Sequence, residues 1–342
     1  MTDGPLISVI VPAKDASDYV ADALTSLGRQ VDEPRELQVV VVDDGSTDGT
    51  GDIVDSFRDR LADLVVLRND RPHGLAAARN QGADAAAGRW LTFLDADDWM
   101  APRRLPALVA ACRRLGCAWV RTDHTTVNGR HRVRRQAPEG LRGVALDPRD
   151  SIVPAAEITM VDYPYAWAGI FDRALKTDGL LDFVDGLHTA EDRPWIWNLH
   201  LNGPRYAVVD APSICYRRGV STSLTQVYDS RQLDFARAFG VARDVLMDDA
   251  ESARFLPKLV RTIVAVTMHH YRNSSRMAPG VYADFLAVSS ALLKSLPVDL
   301  VVRQAASGPP ERTALVDGLL GPDWAALPVP TLDDLEATGS AA

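Results

Sequence analysis

Arg89-Trp90-Leu91-Thr92-Phe93-Leu94-Asp95-Ala96-Asp97-Asp98-Trp99 is a short apolar run, rich in aromatic and branched residues, with three carboxylates crowded at its carboxyl end. Such a run reads as a buried strand, and the carboxyl ends of strands are where open α/β sheets hold their ligands. Three acidic side chains at one strand end repel each other, so the arrangement makes physical sense when a cation or a polar ligand compensates them. Taken alone, the triplet fits an acidic loop equally well, with Asp capping the helix after Ala101-Pro102.

Outward from that strand, strands and helices alternate. Residues 6–11 form a predicted strand ended by Pro12, and Ser17 opens a helix in which Val20, Leu24 and Leu27 share one face. Residues 37–42 form a second buried strand running into Asp43-Asp44-Gly45-Ser46-Thr47-Asp48-Gly49-Thr50. There Gly45 supplies backbone freedom, and Asp48 can cap a helix striped by Ile53, Phe57 and Leu61. Residues 64–67 make a third strand. The alanine-rich segment 74–88 has the helix propensity and small surface that let a helix lie close on a sheet, with Arg79 and Asn80 as its only long polar residues early on. A helix at 103–115 and a strand at 118–121 follow. The alternation predicts an α/β fold with a parallel, doubly wound sheet.

Beyond His124 the pattern changes. Asn128-Gly129 reads as a hairpin turn, and Pro194 in Glu191-Asp192-Arg193-Pro194-Trp195 suits the first position of a helix running to Leu201. Short strands are expected at 206–209 and 213–216. From about Gln226 the sequence turns helical, with Leu233, Ala236 and Phe239 at helical spacing, and likewise Phe255, Leu259, Ile263 and Val266. The division is therefore a catalytic domain at 1–225, a helical region at 226–335 and a frayed tail at 336–342.

At 342 residues the chain is long for one core and comfortable for a catalytic domain with an accessory one. Its 46% apolar and 24% charged residues exclude wholesale disorder. A net charge of -9 argues against a nucleic-acid partner, which calls for a basic footprint. The one basic run, Arg130-His131-Arg132-Val133-Arg134-Arg135, reads as a solvated loop. Cys112, Cys117 and Cys215 lack the paired spacing of a zinc site and fit a reducing cytosol. No charged-then-apolar leader opens the chain, and no apolar run approaches the ~18 residues of a membrane span. A cytoplasmic location is expected, compatible with peripheral contact at the cytoplasmic face of a membrane.

Five signals occur in order: Val9-Ile10-Val11-Pro12-Ala13-Lys14, Asp43-Asp44-Gly45-Ser46, the segment from Gly74 to Asn80, Asp95-Ala96-Asp97-Asp98 and Glu191-Asp192. Together, over residues 5–225, they resemble the inverting family 2 glycosyltransferases of GT-A fold. The resemblance implies a nucleotide-sugar donor, a UDP-sugar first of all, with its uridine held by Pro12, Ala13 and Asp44. A carboxylate suits that place because it can accept the imide N–H of uracil. Arg79 matches a basic residue that faces the nucleotide. Asp95, Ala96 and Asp97 match the Asp-X-Asp motif that meets the ribose and the divalent cation. Asp97 and Asp95 are then the ligands of Mg2+ or Mn2+, Asp97 first and Asp98 adjoining.

Asp192 matches the general base, which takes the proton of the attacking hydroxyl on the face opposite the leaving diphosphate, while Glu191 positions the loop or the acceptor. A helix N-terminus beside Asp192 is expected to keep it ionised. Tyr216-Arg217-Arg218-Gly219-Val220-Ser221-Thr222-Ser223 resembles the segment that closes over the diphosphate, giving Arg217, Arg218, Ser221 and Ser223 to the phosphates. The His often found there is missing. His188 reads as acceptor wall or loop, and Trp167, Trp195 and Trp197 as sugar-stacking or core residues. The Gln-X-X-Arg-Trp motif of processive synthases is absent, so a single transfer per encounter to a glycan or cell-envelope polymer is expected. The helical region is a candidate for acceptor binding, membrane contact or a homo-oligomer interface. Two rival readings are a haloacid-dehalogenase-like phosphohydrolase, which also carries Asp-X-Asp after a strand, and a nucleotide-binding protein without catalysis.

Overall fold

In the computed structural model, which describes residues 5–220 and 228–322, β1 (Ile7–Ala13) and β2 (Leu37–Asp43) are buried at every position. Unbroken apolar runs fit strands covered on both faces. β1 pairs in parallel with β2 and with β4 (Trp90–Phe93), and β2 pairs in parallel with β3 (Asp63–Arg68). β1 continues through Pro12 instead of ending there. β4 meets it only from Ile7 to Ile10, so beyond that point one edge is free and the missing proline N–H breaks no ladder bond.

With β6 (Trp119–Arg121), β9 (Gly169–Asp172) and β10 (Tyr206–Val208), these strands form a seven-stranded sheet in the order β10-β6-β9-β4-β1-β2-β3. The sheet is mostly parallel. β9 departs from the expectation by running antiparallel to β4 and β6, because the long excursion after β6 returns the chain in the opposite direction. Gly169 permits the fit, since a Cβ there would lie 2.2 Å from the Val120 carbonyl oxygen.

Helices α1 (Val20–Leu27), α2 (Thr50–Asp55), α3 (Leu75–Ala85) and α4 (Arg104–Leu115) follow the strands as read. α3 lies on β1 and β2 so closely that a Cβ at Gly82 would stand 2.4 Å from Ile10 Cγ2. A second sheet has the order β5-β11-β7-β8, from β5 (Trp99–Met100), β11 (Ile214–Arg217), β7 (His124–Asn128) and β8 (His131–Arg135). The hairpin at Asn128-Gly129 is formed. The basic run is a strand rather than a loop, though all five residues of β8 stay exposed, since it pairs along one edge only.

After the short α5 (Ala174–Thr177) comes α6 (Asp192–Asn202), with Pro194 at its third position rather than its first. That is still within the first turn, whose N–H groups have no helical partner. α7 (Asp234–Met247) packs along α6 and leads to α8 (Ser252–Arg272), α9 (Pro279–Lys294), α10 (Val298–Ala306) and α11 (Pro310–Leu320). The buried face of α7 is Phe235, Ala238, Phe239, Ala242 and Leu246, one step from the stripe read through Leu233 and Ala236. Arg149 clamps this helical region to the rest through Asp249 and Glu251, each at 2.7 Å, and Lys258 pairs with Asp162. Phe255, Ile263, Phe285, Leu293 and Val301 are buried within the chain itself, so these stripes do not call for a second copy to cover them. Among the described residues no single helix is long and apolar enough to cross a membrane. The tail at 336–342 lies outside the described residues.

Candidate active site

The carboxyl ends of β1, β2 and β4 converge because parallel pairing puts the ends of neighbouring strands side by side. After β1, Lys14 Nζ donates to the Gly45 carbonyl at 2.9 Å, and Asp15, at φ +46°, accepts from the Thr47 amide at 2.9 Å. The two strand-end turns are thereby tied together, Pro12 and Ala13 beside Asp43 and Asp44. Asp44 is buried and already occupied. It accepts from Asn69 Nδ2, the His73 amide and the Gly74 amide, each at 2.8 Å. In this state its carboxylate fastens the loop that opens α3.

Arg79, on α3, is the junction of the site. Only 4% of its side chain is exposed, yet it donates to Glu191 Oε1 at 2.6 Å and to Asp95 Oδ1 at 2.9 Å, 5.2 Å above the Phe183 ring. Burial works against its charge, and Asp95 and Glu191 more than offset that. It therefore ties the acidic strand end to the Glu191-Asp192 pair, residues nearly one hundred positions apart in sequence. Neither partner was legible beforehand, because the partners of a helix-surface arginine depend on what packs over the helix.

Within the acidic turn each carboxylate has its own environment. Asp95 uses one oxygen for Arg79. No other described side chain pairs with the Asp97 carboxylate, and burial, then the charge of Asp95, pushes it up to about 6. Asp98 accepts from the Arg217 amide at 2.7 Å through Oδ1, while its buried Oδ2 has no partner among the described residues. Burial, then Asp97 and Asp95, raises it well above the usual carboxylate range. Crowded hard oxygens of which the Asp97 carboxylate and Asp98 Oδ2 have no partner among the described residues fit Mg2+ or Mn2+. No group of three His, Cys, Asp or Glu among the described residues is arranged to hold a metal alone, but one or two carboxylates suffice for Mg2+ when substrate phosphates complete the shell.

Glu191 and Asp192 diverge after Ala190, whose φ of +57° is a left-handed conformation costing a non-glycine residue roughly 1–2 kcal/mol. Glu191 points to Arg79. Asp192, the first residue of α6, is half-buried, with Arg193 Nε as its nearest cation at 3.8 Å. Burial raises its pKa against the opposing pull of Arg193 and Arg79. Desolvation thus makes Asp192 a more basic carboxylate.

Arg217 is not turned to an open site. Its Nε donates to the Asp97 carbonyl at 2.8 Å and its Nη2 to Asp22 at 2.8 Å, with the guanidinium over Trp99 and Tyr19. It braces the acidic turn against α1. Arg218 donates to the Tyr216 hydroxyl at 3.1 Å, and Ser221 and Ser223 lie outside the described residues. Trp195 and Trp197 are core residues at 1% and 0% exposure, and Trp167 is buried behind Tyr165 at 4.7 Å. None of the three offers a face to a sugar.

The aromatic surface is instead made by residues that sequence reading passed over. Tyr163, Tyr165, Tyr216 and His124 line a cleft of about 620 Å3. Burial, then the charge of nearby Asp192, raises the Tyr165 hydroxyl. The Tyr163 hydroxyl donates to the Thr122 carbonyl at 3.0 Å and so accepts from His124 Nδ1 at 2.6 Å. Burial pushes His124 down to about 4, leaving it neutral with Nε2 as an acceptor.

Residues 8–177 match the family model for glycosyl transferase family 2. Validoxylamine A glucosyltransferase of Streptomyces hygroscopicus subsp. limoneus is 32% identical over 179 residues, which are 48% of this chain and 40% of that protein. The poly(ribitol-phosphate) beta-N-acetylglucosaminyltransferase TarS of Staphylococcus aureus (strain Mu50 / ATCC 700699) is 28% identical over 253 residues, 72% of this chain and 41% of that protein. The chain thus spans well under half the length of these relatives. The crystal structure of S. aureus TarS 1-349 with UDP-GlcNAc superposes at a TM-score of 0.72 with 22% identity, covering 98% of this chain and 91% of that one. The mannosyltransferase PcManGT of Pyrobaculum calidifontis, in complex with GDP-Man and Mn2+, matches at 0.50 with 18% identity over 99% and 87% of the two chains. These likenesses establish the GT-A fold.

Proposed function

Because the chain belongs to glycosyl transferase family 2 through residues 8–177, we propose that it is an inverting, non-processive glycosyltransferase moving a hexosyl or N-acetylhexosaminyl group from a UDP-sugar to a hydroxyl of a glycan or cell-envelope polymer. The observation that carries this reading is the Arg79 junction, which brings Asp95 of the acidic turn and the Glu191-Asp192 pair to one strand end. The UDP-GlcNAc bound by TarS favours a UDP-sugar, and the Mn2+ of PcManGT favours a divalent cation. A phosphohydrolase of haloacid-dehalogenase type would not share this family.

The donor's uridine lies against Pro12, Ala13 and the loop that Asp44 fastens, with Asp95 and Ala96 toward the ribose. Asp97, with Asp95 and adjoining Asp98, would hold Mg2+ or Mn2+, which when bound offsets the charge of the diphosphate. Arg218, Ser221 and Ser223 are the groups we assign to the diphosphate, on the resemblance of their segment alone. Asp192 receives the proton of the acceptor hydroxyl as its oxygen bonds to the anomeric carbon. The bond from that carbon to the diphosphate breaks, and UDP leaves with the electron pair. Displacement from the opposite face inverts the anomeric centre. Glu191, held by Arg79, keeps the loop that presents Asp192.

The test pairs two variants. Asp192→Asn keeps its volume and leaves the donor site intact, so donor affinity should hold while transfer falls by ~10²–10⁴-fold. Asp97→Asn should weaken donor binding in the presence of metal. Calorimetry with UDP and turnover with UDP-sugars read both. Near-normal turnover in folded Asp192→Asn removes the base assignment, with Asp185 or Glu191 next in line. A wild-type protein that neither binds UDP nor releases it from any UDP-sugar removes the transferase reading.

A further inference from the structure

The cleft beside Asp192 carries a charge pattern that sugar transfer to a neutral hydroxyl does not require. Arg104 and Arg121, both fully buried behind its wall, have no carboxylate partner among the described residues. Arg104 donates to the Pro212 carbonyl and Thr122 Oγ1, Arg121 to the Tyr163 carbonyl, and Arg121 Nε and Nη1 and Arg104 Nε have no partner there. Burial lowers each guanidinium only to about 10, so both stay charged. On the open side, β8 alternates, with His131, Val133 and Arg135 lining the cleft. Arg134 faces away and is neutralised by Asp123 and Asp210, each at 2.8 Å. Neither Arg135 nor Arg218 forms an ion pair among the described residues. The only carboxylate among the described lining residues, Asp162, is compensated by Lys258 and by Arg261 at 3.8 Å. Asp123, the acidic neighbour of His124, is held by Arg134 and Arg142.

We propose that this cleft receives the acceptor and selects an anionic one, a sugar or polyol polymer with a phosphate or carboxylate on its repeats; this rests on the transferase reading above. Three cations, Arg104, Arg121 and Arg135, converge on one cleft in a chain of net charge -9, besides the Arg218 given to the diphosphate. Such a local positive field draws an anion while the rest of the surface repels it. A polymer fits better than a single anion. Residues 131 and 135 stand ~13 Å apart along β8 at the usual strand rise, more than one phosphate spans. Tyr165 and Tyr216 between the cations offer faces for the uncharged parts of a repeat.

The experiment uses the full chain and three oligomers of similar length: a phosphodiester-linked glycerol oligomer, tri-galacturonate and maltotriose. Binding is measured by calorimetry with UDP present, at 50 mM and 300 mM salt, for wild type, Arg135→Gln and Arg135→Lys. At least one charged oligomer should bind, and the stronger of the two names the anion. Its affinity should fall about tenfold in Arg135→Gln, as for loss of one charge-assisted contact. It should largely recover in Arg135→Lys and weaken with salt. Maltotriose binding should respond to none of these changes. Charged oligomers that bind no better than maltotriose, or wild-type affinity that ignores salt, overturn the inference even if Arg135→Gln fails to fold. If UDP binds and UDP-sugars turn over while this preference is missing, only the inference fails. If UDP is neither bound nor released, the transferase reading fails and takes the inference with it.

Discussion

Replacing Arg79 with Met removes the buried cation that joins the two halves of the site and keeps a side chain of similar length. Glu191 and Asp95 lose partners at 2.6 and 2.9 Å, and Glu191 is only 8% exposed. Removing one member of a buried pair costs about 3–5 kcal/mol, because the remaining charge stays desolvated. Methionine packing on Phe183 should return ~0.3–1.5 kcal/mol of that. A net loss of about 3 kcal/mol is expected, a large part of the ~5–15 kcal/mol of a typical domain. Urea unfolding at pH 7, followed by tryptophan fluorescence, reads it as a lower midpoint at unchanged slope. Adding Glu191→Gln should restore about 1–2 kcal/mol, since only Asp95 is then uncompensated. Burial already raises Glu191 with Arg79 present, and it must rise further without it. The folded variant then binds a proton more tightly than folded wild type, so its deficit shrinks as pH falls through the raised folded value. A loss under ~1 kcal/mol, or a double variant no more stable than the single, refutes the argument that Arg79 compensates both carboxylates.

UDP titrated with and without EDTA should bind more weakly once divalent cations are removed, because the diphosphate meets an acidic turn; equal affinity removes the metal role given to Asp97 and Asp95. Gly169→Ala should cost about 1–3 kcal/mol in urea unfolding, since its Cβ would meet the Val120 carbonyl, a backbone atom, at 2.2 Å. A variant as stable as wild type would show that β9 can shift freely. Burial holds His200 at about 3, far below its ordinary value of 6.5. Its contribution is therefore present above pH 6.5 and is lost as pH falls, by ~2–3 kcal/mol down to pH 4.5. His200→Phe should flatten that part of the pH–stability curve, and an unchanged slope would assign the loss to other groups.

What was legible in the sequence was what local chemistry dictates. Apolar runs of strand length, the glycine of Asp43-Asp44-Gly45, the alanine-rich surface of α3 and the acidic end of β4 each announce themselves within a dozen residues. Their order identified the fold, the Asp-X-Asp turn and the Glu191-Asp192 pair. The antiparallel direction of β9 was not legible, because it depends on how a long excursion returns and on the one glycine that lets it pass Val120. The partners of Arg79 were hidden for the same reason: periodicity says which side of a helix is polar but not which carboxylates tertiary packing brings over it. Asp192 carries a helix-start signal in sequence, yet its basicity is set by burial beneath elements far away in the chain. The aromatic cleft is the strongest case. His124, Tyr163, Tyr165 and Tyr216 come from β7, a loop and β11, and Arg104 and Arg121 lie behind them from α4 and β6. Each is unremarkable alone, and only the second sheet, folding β11 against β7, makes a charged, aromatic wall of them near Asp192.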